Sequence, residues 1–138
     1  MTTPDTNQSA AGGRQEGLHP TWQARFRFFQ AHGTPGMWKN DRDYRAALAA
    51  LPYRQRMRIV FNGFAFFFGA FYLAYLGMWR KAIGLLAIAS ALSAASVLLG
   101  LSSTVVVAWS AGLCGYVAAR ANSLYYEHWV LGRNTWGL

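Results

Sequence analysis

Acidic residues are scarce in this chain: five Asp and Glu stand against thirteen Lys and Arg, and every acidic one lies outside its long apolar stretches. No pair of carboxylates is therefore placed for general acid–base chemistry within those stretches. Ionisable residues are also missing from them, apart from Arg120 at an end, which argues against a transporter or proton path. Cys114 is the only cysteine, so an internal disulfide is excluded, and it reads as a small packing residue. The three histidines, His19, His32 and His128, all fall outside the apolar stretches, where an intramembrane haem would need its ligand. No Cys/His cluster has zinc spacing and no glycine loop has phosphate-binding spacing. The N-terminus lacks a charged-then-apolar leader with a small-residue cleavage site, so no secretory signal peptide is expected. Together these absences point away from an enzyme, and from a channel or carrier acting alone. No cofactor and no metal are expected.

What the sequence has in abundance is apolar length. Residues 59–77, 82–100 and 104–119 form three apolar blocks, broken only by Met78-Trp79-Arg80-Lys81 and Leu101-Ser102-Ser103. A 19-residue helix covers about 28 Å, close to the thickness of a bilayer's hydrocarbon core. No block alternates apolar with polar residues, which speaks against half-buried strands. None has a polar face, which speaks against a soluble helical core. The expected fold is all-α: an integral membrane protein with three hydrophobic helices, preceded by two short amphipathic ones. Four segments follow from composition: a disordered tail over 1–19, a basic interfacial helical region over 20–58, a transmembrane domain over 59–122, and a short tail over 123–138.

The first short helix is expected from Pro20, a residue that suits a helix start. Trp22, Phe26 and Phe29 share one stripe of it, while Gln23, Arg27 and Gln30 share another. That stripe suits either the membrane interface or packing on the rest of the protein. Gly33, Pro35 and Gly36 end it. Asn40 and Asp43 mark the second helix start, Tyr44, Leu48 and Leu51 line one face, and Pro52 closes it. A basic collar with Arg54, Arg56 and Arg58 follows, and with Arg80 and Lys81 it is placed to meet lipid phosphates. Nucleic acid is the less economical partner for a charge of +8 that crowds against hydrophobic blocks.

The first block is rich in rings, and they fall on every side of a helix. Phe64, Phe67, Phe68 and Phe71 are candidates for contact with lipid or another subunit. The second and third blocks are rich in small residues instead. Ala87, Ala91 and Ala95 repeat every four positions, as do Ala111, Gly115 and Ala119, a spacing that lets helix backbones approach closely in lipid. With so short a connection at 101–103, a tight antiparallel hairpin is expected. Arg120, Asn122, Tyr125 and Tyr126 form the interfacial set that ends it.

These residues together resemble a family of small bacterial membrane proteins catalogued as domain of unknown function 2628. The resemblance runs from about Thr21 to the C-terminus. It is carried by Trp22-Gln23-Ala24-Arg25-Phe26-Arg27-Phe28-Phe29, by His32-Gly33 and Pro35-Gly36, and by Tyr44 and Ala47. It continues through Asn62, Phe64-Ala65-Phe66-Phe67-Phe68-Gly69, Tyr72, Gly77-Met78-Trp79-Arg80-Lys81, and Ala121-Asn122 with Tyr125-Tyr126. Family members often carry proline after that glycine, where this chain has Ala70. The resemblance implies a bacterial cytoplasmic-membrane protein and supplies no catalytic residues.

Three functional expectations follow. The first is a non-enzymatic protein that binds a membrane partner, as an accessory subunit of a larger complex. The second is binding of anionic lipid or shaping of the membrane; the third is a redox subunit using His128 or Cys114. For topology, the Lys/Arg content of the N-terminal region favours the cytoplasm. Three full spans are expected, since without proline at position 70 a continuous first helix is the cheaper conformation. The rival is a first block that dips in and returns, keeping Arg80 and Lys81 on the basic side.

Overall fold

The computed structural model describes residues 17–35 and 42–138. Among them the regular elements are six helices: α1 (Pro20–His32), α2 (Arg42–Ala49), α3 (Tyr53–Val60), α4 (Gly63–Tyr75), α5 (Trp79–Leu98) and α6 (Ser103–Trp129). The expected all-α architecture is present. Three stretches, Tyr53–Tyr75, Trp79–Leu98 and Ser103–Trp129, are long and apolar enough to cross a membrane. The proposed tail over 1–19 and the Asn40 start signal fall almost wholly, and wholly, outside the described residues.

Local chemistry sets the boundaries. Pro20 opens α1, with the His19 side chain accepting from the Thr21 N–H, and Gly33 at φ 76° closes it. Gly77 at φ 83° closes α4 as the amides of Gly77 and Met78 donate to the carbonyls of Ala74 and Leu73. Gly100 at φ 58° ends α5 in the same way, with Gly100 and Leu101 donating to Val97 and Ser96. This pairing of a left-handed glycine with two returning hydrogen bonds satisfies the last carbonyls of a helix.

The basic collar forms a helix of its own, α3, rather than the entry to a continuous span. The chain is extended at Phe61 (φ −123°, ψ 133°) and restarts at Asn62, whose side chain caps α4 by accepting from the Ala65 N–H. Within α4 the backbone breaks again at Gly69 (φ 44°, ψ −114°), a conformation open essentially to glycine alone. The arms on either side of Gly69 fold back on each other. Asn62 Nδ2 donates to the Tyr72 hydroxyl at 3.1 Å, although ten residues of straight helix would separate them by about 15 Å. Both mouths of this hairpin meet the C-terminal half of α6: the Asn62 amide donates to the Ala118 carbonyl, and Gly77 lies beside the His128 ring. Its tip at Gly69 lies by Leu85, beside Leu113 and Cys114.

The continuous first helix expected for lack of a proline is thus corrected. Glycine supplies the break by itself, and residues 62–77 fold back on themselves. Every basic side chain that the sequence places around the spans now gathers at one end.

The hairpin of α4 also displaces the expected seam between α5 and α6. It packs extensively against both, and they touch one another only sparsely. Ala65, Ala70 and Leu73 of α4 are buried with Ala82 and Leu85 of α5 and Val117 and Ala121 of α6. Ala87, Ala91, Ala111 and Ala119 are exposed, Ala95 is half-buried, and a Cβ at Gly115 would meet nothing within 4 Å. The antiparallel pair is present; among the described residues its tight small-residue packing is not made. At the far end Trp109 Nε1 donates to Ser96 Oγ at 3.2 Å, one of few links between the two helices there.

Candidate functional site

The basic end is organised around two amides from the borders of the apolar blocks. Asn122 is fully buried on α6, and its Nδ2 donates to the carbonyls of Ile59 at 2.9 Å and Arg58 at 3.2 Å. These are carbonyls that α3 leaves open at its C-terminus. Its Oδ1 accepts from Asn62 Nδ2 at 3.0 Å, and Asn62 in turn serves Tyr72 and caps α4. Both amide groups are fully engaged, which makes the node a fastener for the break between α3 and α4.

An aromatic cap sits on it. Phe26 is 0% exposed, with ring centroids 5.7 Å from Tyr125 and 5.3 Å from Tyr126, and Phe29 lies 5.6 Å from Tyr126. Trp22, half-buried, meets Tyr125 edge-on at 4.6 Å. The α1 stripe therefore packs on the protein; Phe26 and Phe29 offer no surface to headgroups, a correction to their expected interfacial role. Tyr44 of α2 joins the cap through Phe28 at 5.5 Å, and burial raises its phenol pKa above the ordinary tyrosine value.

The expected phosphate-facing cations divide into two groups. Arg54 and Arg58 are exposed, and Arg56 is half-buried with Nη2 donating to the Ala49 carbonyl at 3.2 Å. Lys81 is instead buried, 3% exposed, with Nζ donating to the Thr135 hydroxyl and the Gly137 carbonyl. Arg80 reaches the Asn134 carbonyl at 3.0 Å beneath the rings of Trp79 and Trp136. These two cations hold the C-terminal tail against the start of α5 and are not free for lipid. Arg120 similarly donates to the Pro35 carbonyl.

Arg25 was not singled out by spacing alone, yet it is the most suggestively placed cation. Its Nε donates to the Arg58 carbonyl at 2.7 Å and its guanidinium lies 4.7 Å from the Trp22 ring. Burial lowers its pKa; the Tyr72 hydroxyl opposes that and the Arg58 charge adds to it. Among the described residues no carboxylate pairs with Arg25 or Arg58.

The rings of α4 point outward as expected: Phe67 is 81% exposed, and Phe64, Phe68 and Phe71 are exposed too. Phe64, Phe68, Phe71, Tyr72 and Tyr75 line an apolar groove along the hairpin. A second cavity of about 250 Å³ lies at the tip, where Gly69 and Leu85 meet Leu113 and Cys114. Among the described residues no three His, Cys, Asp or Glu side chains group as metal ligands.

The family model for "Protein of unknown function (DUF2628)" matches residues 8–130. The chain is 38% identical to proteins named "Uncharacterized protein YigF" from Salmonella typhimurium, Salmonella typhi and Escherichia coli. Each match covers 121 residues, 88% of this chain and 92% of the relative. No solved structure matches it. Asn62, Asn122 and the Gly69 break thus lie within the matched span, and the chain belongs to the DUF2628 family of proteins of unknown function.

Proposed function

We propose that this is a non-enzymatic membrane protein that works by holding a membrane partner, as an accessory subunit of a larger complex. One observation carries this reading: the small-residue ridges of α5 and α6 stand open. Ala87 and Ala91 on one helix are exposed four residues apart; on the other, Ala111 and Ala119 are exposed, each four residues from Gly115, and among the described residues a Cβ at Gly115 would meet nothing within 4 Å. In lipid, ridges of this kind gain by close contact with another helix backbone. The outward rings of α4 offer a second, bulkier surface beside them.

The same reading places the protein in a bacterial cytoplasmic membrane with its N-terminal region in the cytoplasm. The basic residues collect at one end of the helices, and the turn at the other end, Leu101-Ser102-Ser103, is uncharged.

The test is purification of the tagged full chain from gently solubilised membranes, wild type beside Gly115→Leu. A membrane protein that accompanies the wild type and is lost from the variant supports the proposal. A wild type that emerges alone and monodisperse overturns it. A second reading, attraction to anionic lipid, is favoured by the exposed Arg54 and Arg58. Liposome binding that ignores both anionic lipid and salt would dismiss it, since screening weakens such attraction.

A further inference from the structure

The hairpin of α4 brings an apolar groove close to a pair of cations that have no acidic partner among the described residues. Tyr72 is the link. Its ring forms part of the groove wall with Phe64, Phe68, Phe71 and Tyr75, stacking on Phe64 at 6.1 Å and on Tyr75 at 6.5 Å. Its hydroxyl is held at the mouth of the hairpin by Asn62 and lies within the electrostatic reach of Arg25. Arg25 in turn is tethered through Nε to the backbone carbonyl of Arg58, and the Arg58 charge lies near enough to act on it. Neither has an acidic partner among the described residues, and the Nη groups of Arg25 make no hydrogen bond there. Two guanidinium groups without a described acidic partner, one of them over the Trp22 ring, at the mouth of a hairpin whose apolar groove Tyr72 shares, match an amphiphile with a negative head.

We propose that this groove binds one anionic phospholipid, with its phosphate on Arg25 and Arg58 and an acyl chain lying along Phe68, Phe71 and Tyr75. The charge at the mouth selects the headgroup, and the rings select a chain over a free anion. A diffuse attraction would draw equally on every exposed cation; this site draws on two.

The experiment uses the purified full chain in mild detergent, and follows its melting temperature as lipid is titrated. Phosphatidylglycerol is expected to raise the melting temperature, phosphatidylcholine of the same chains to do so much less, and water-soluble glycerol phosphate not at all. Arg58→Gln is the main variant, because the backbone carbonyl that holds Arg25 survives the substitution. It should weaken the phosphatidylglycerol response about tenfold, the size of one charge-assisted hydrogen bond. Arg133→Gln makes the same charge change on the C-terminal tail and should leave the response intact. Phe68→Ser should weaken binding of both lipids. Equal stabilisation by the two lipids, equal loss in Arg133→Gln, or a full response to glycerol phosphate would each overturn the proposal. The readout needs no protein partner, so its failure and the failure of the accessory-subunit reading are separable.

Discussion

From Val117 to Tyr126 nearly every turn of α6 is buried, whereas from Ser103 to Ala111 the same helix presents hardly a buried side chain. The open half is the more apolar of the two, with Val105, Val106 and Val107, while Arg120, Asn122 and Ser123 lie in the buried half. The halves also differ in company: the buried one is surrounded by α1, the end of α3 and both mouths of the α4 hairpin, the open one by little of this chain. In water such an exposed apolar half would be untenable. In lipid it is inexpensive, because tails are as apolar as leucine and packing must come from shape and hydrogen bonds. Burial in this protein therefore follows its polar fasteners and interlocking rings rather than its hydrophobicity.

The sharpest way to break that contrast is all-or-none. In a Cys114→Ala background, single cysteines at Ser103 and Thr135 report the open and the fastened ends of the α5–α6 pair. An impermeant thiol reagent on intact cells should label Ser103 and spare Thr135. Labelling of Thr135 alone would restore three full spans and sink the folded-back α4.

Among substitutions, the largest effect is expected at the fastened end. Phe26→Ala removes a fully buried ring that touches Trp22, Tyr125 and Tyr126, and should cost about 3–5 kcal/mol in detergent melting or denaturant titration. Phe67→Ala, at 81% exposure, should leave melting nearly unchanged. Parity between the two would mean that the cap does not hold α1 in place.

Asn122→Leu comes next. It strands the Ile59 carbonyl and one Asn62 N–H, at about 1–3 kcal/mol per orphaned group, partly relieved by water at the interface, while the Arg58 carbonyl keeps its bond from Arg25. A net loss of about 3 kcal/mol is expected, and a neutral outcome would show that the node is already wet. Gly69→Ala puts a Cβ where φ is +44° and should cost about 1–3 kcal/mol. If it melts like wild type, the break is not where the chain turns. Smallest of all is Gly115→Leu: with nothing within 4 Å of a Cβ there, the isolated chain should shift by less than about 0.5 kcal/mol. A large loss would mean that the ridges do pack inside the chain.

Much of the helical plan is legible without the structure. Pro20, Gly33, Pro52, Gly77 and Gly100 punctuate it at their own positions, and the apolar blocks locate α5 and α6. The candidate site is only half legible. Asn62 and Asn122 can be noticed as amides at block borders, but 60 residues separate them in sequence and nothing local pairs them. Arg25 looks like one more arginine beside an aromatic stripe until α1 lies across the end of α3. The small-residue repeats were readable as packing surfaces, yet their spacing is silent about whose helix they face.

Sequence by itself determined that this chain is helical, apolar enough for a membrane, and charged at its borders. Those properties belong to single segments: hydropathy, capping chemistry and the 1.5 Å rise act within one helix at a time. The fold-back of α4 was decided only by tertiary structure. Breaking a helix in hydrocarbon exposes backbone groups at several kcal/mol each, so Gly69 permits the turn without causing it. What makes it tenable is the shielding of the tip by α5 and α6, and the Asn62, Asn122 and Tyr72 side chains that close its mouth.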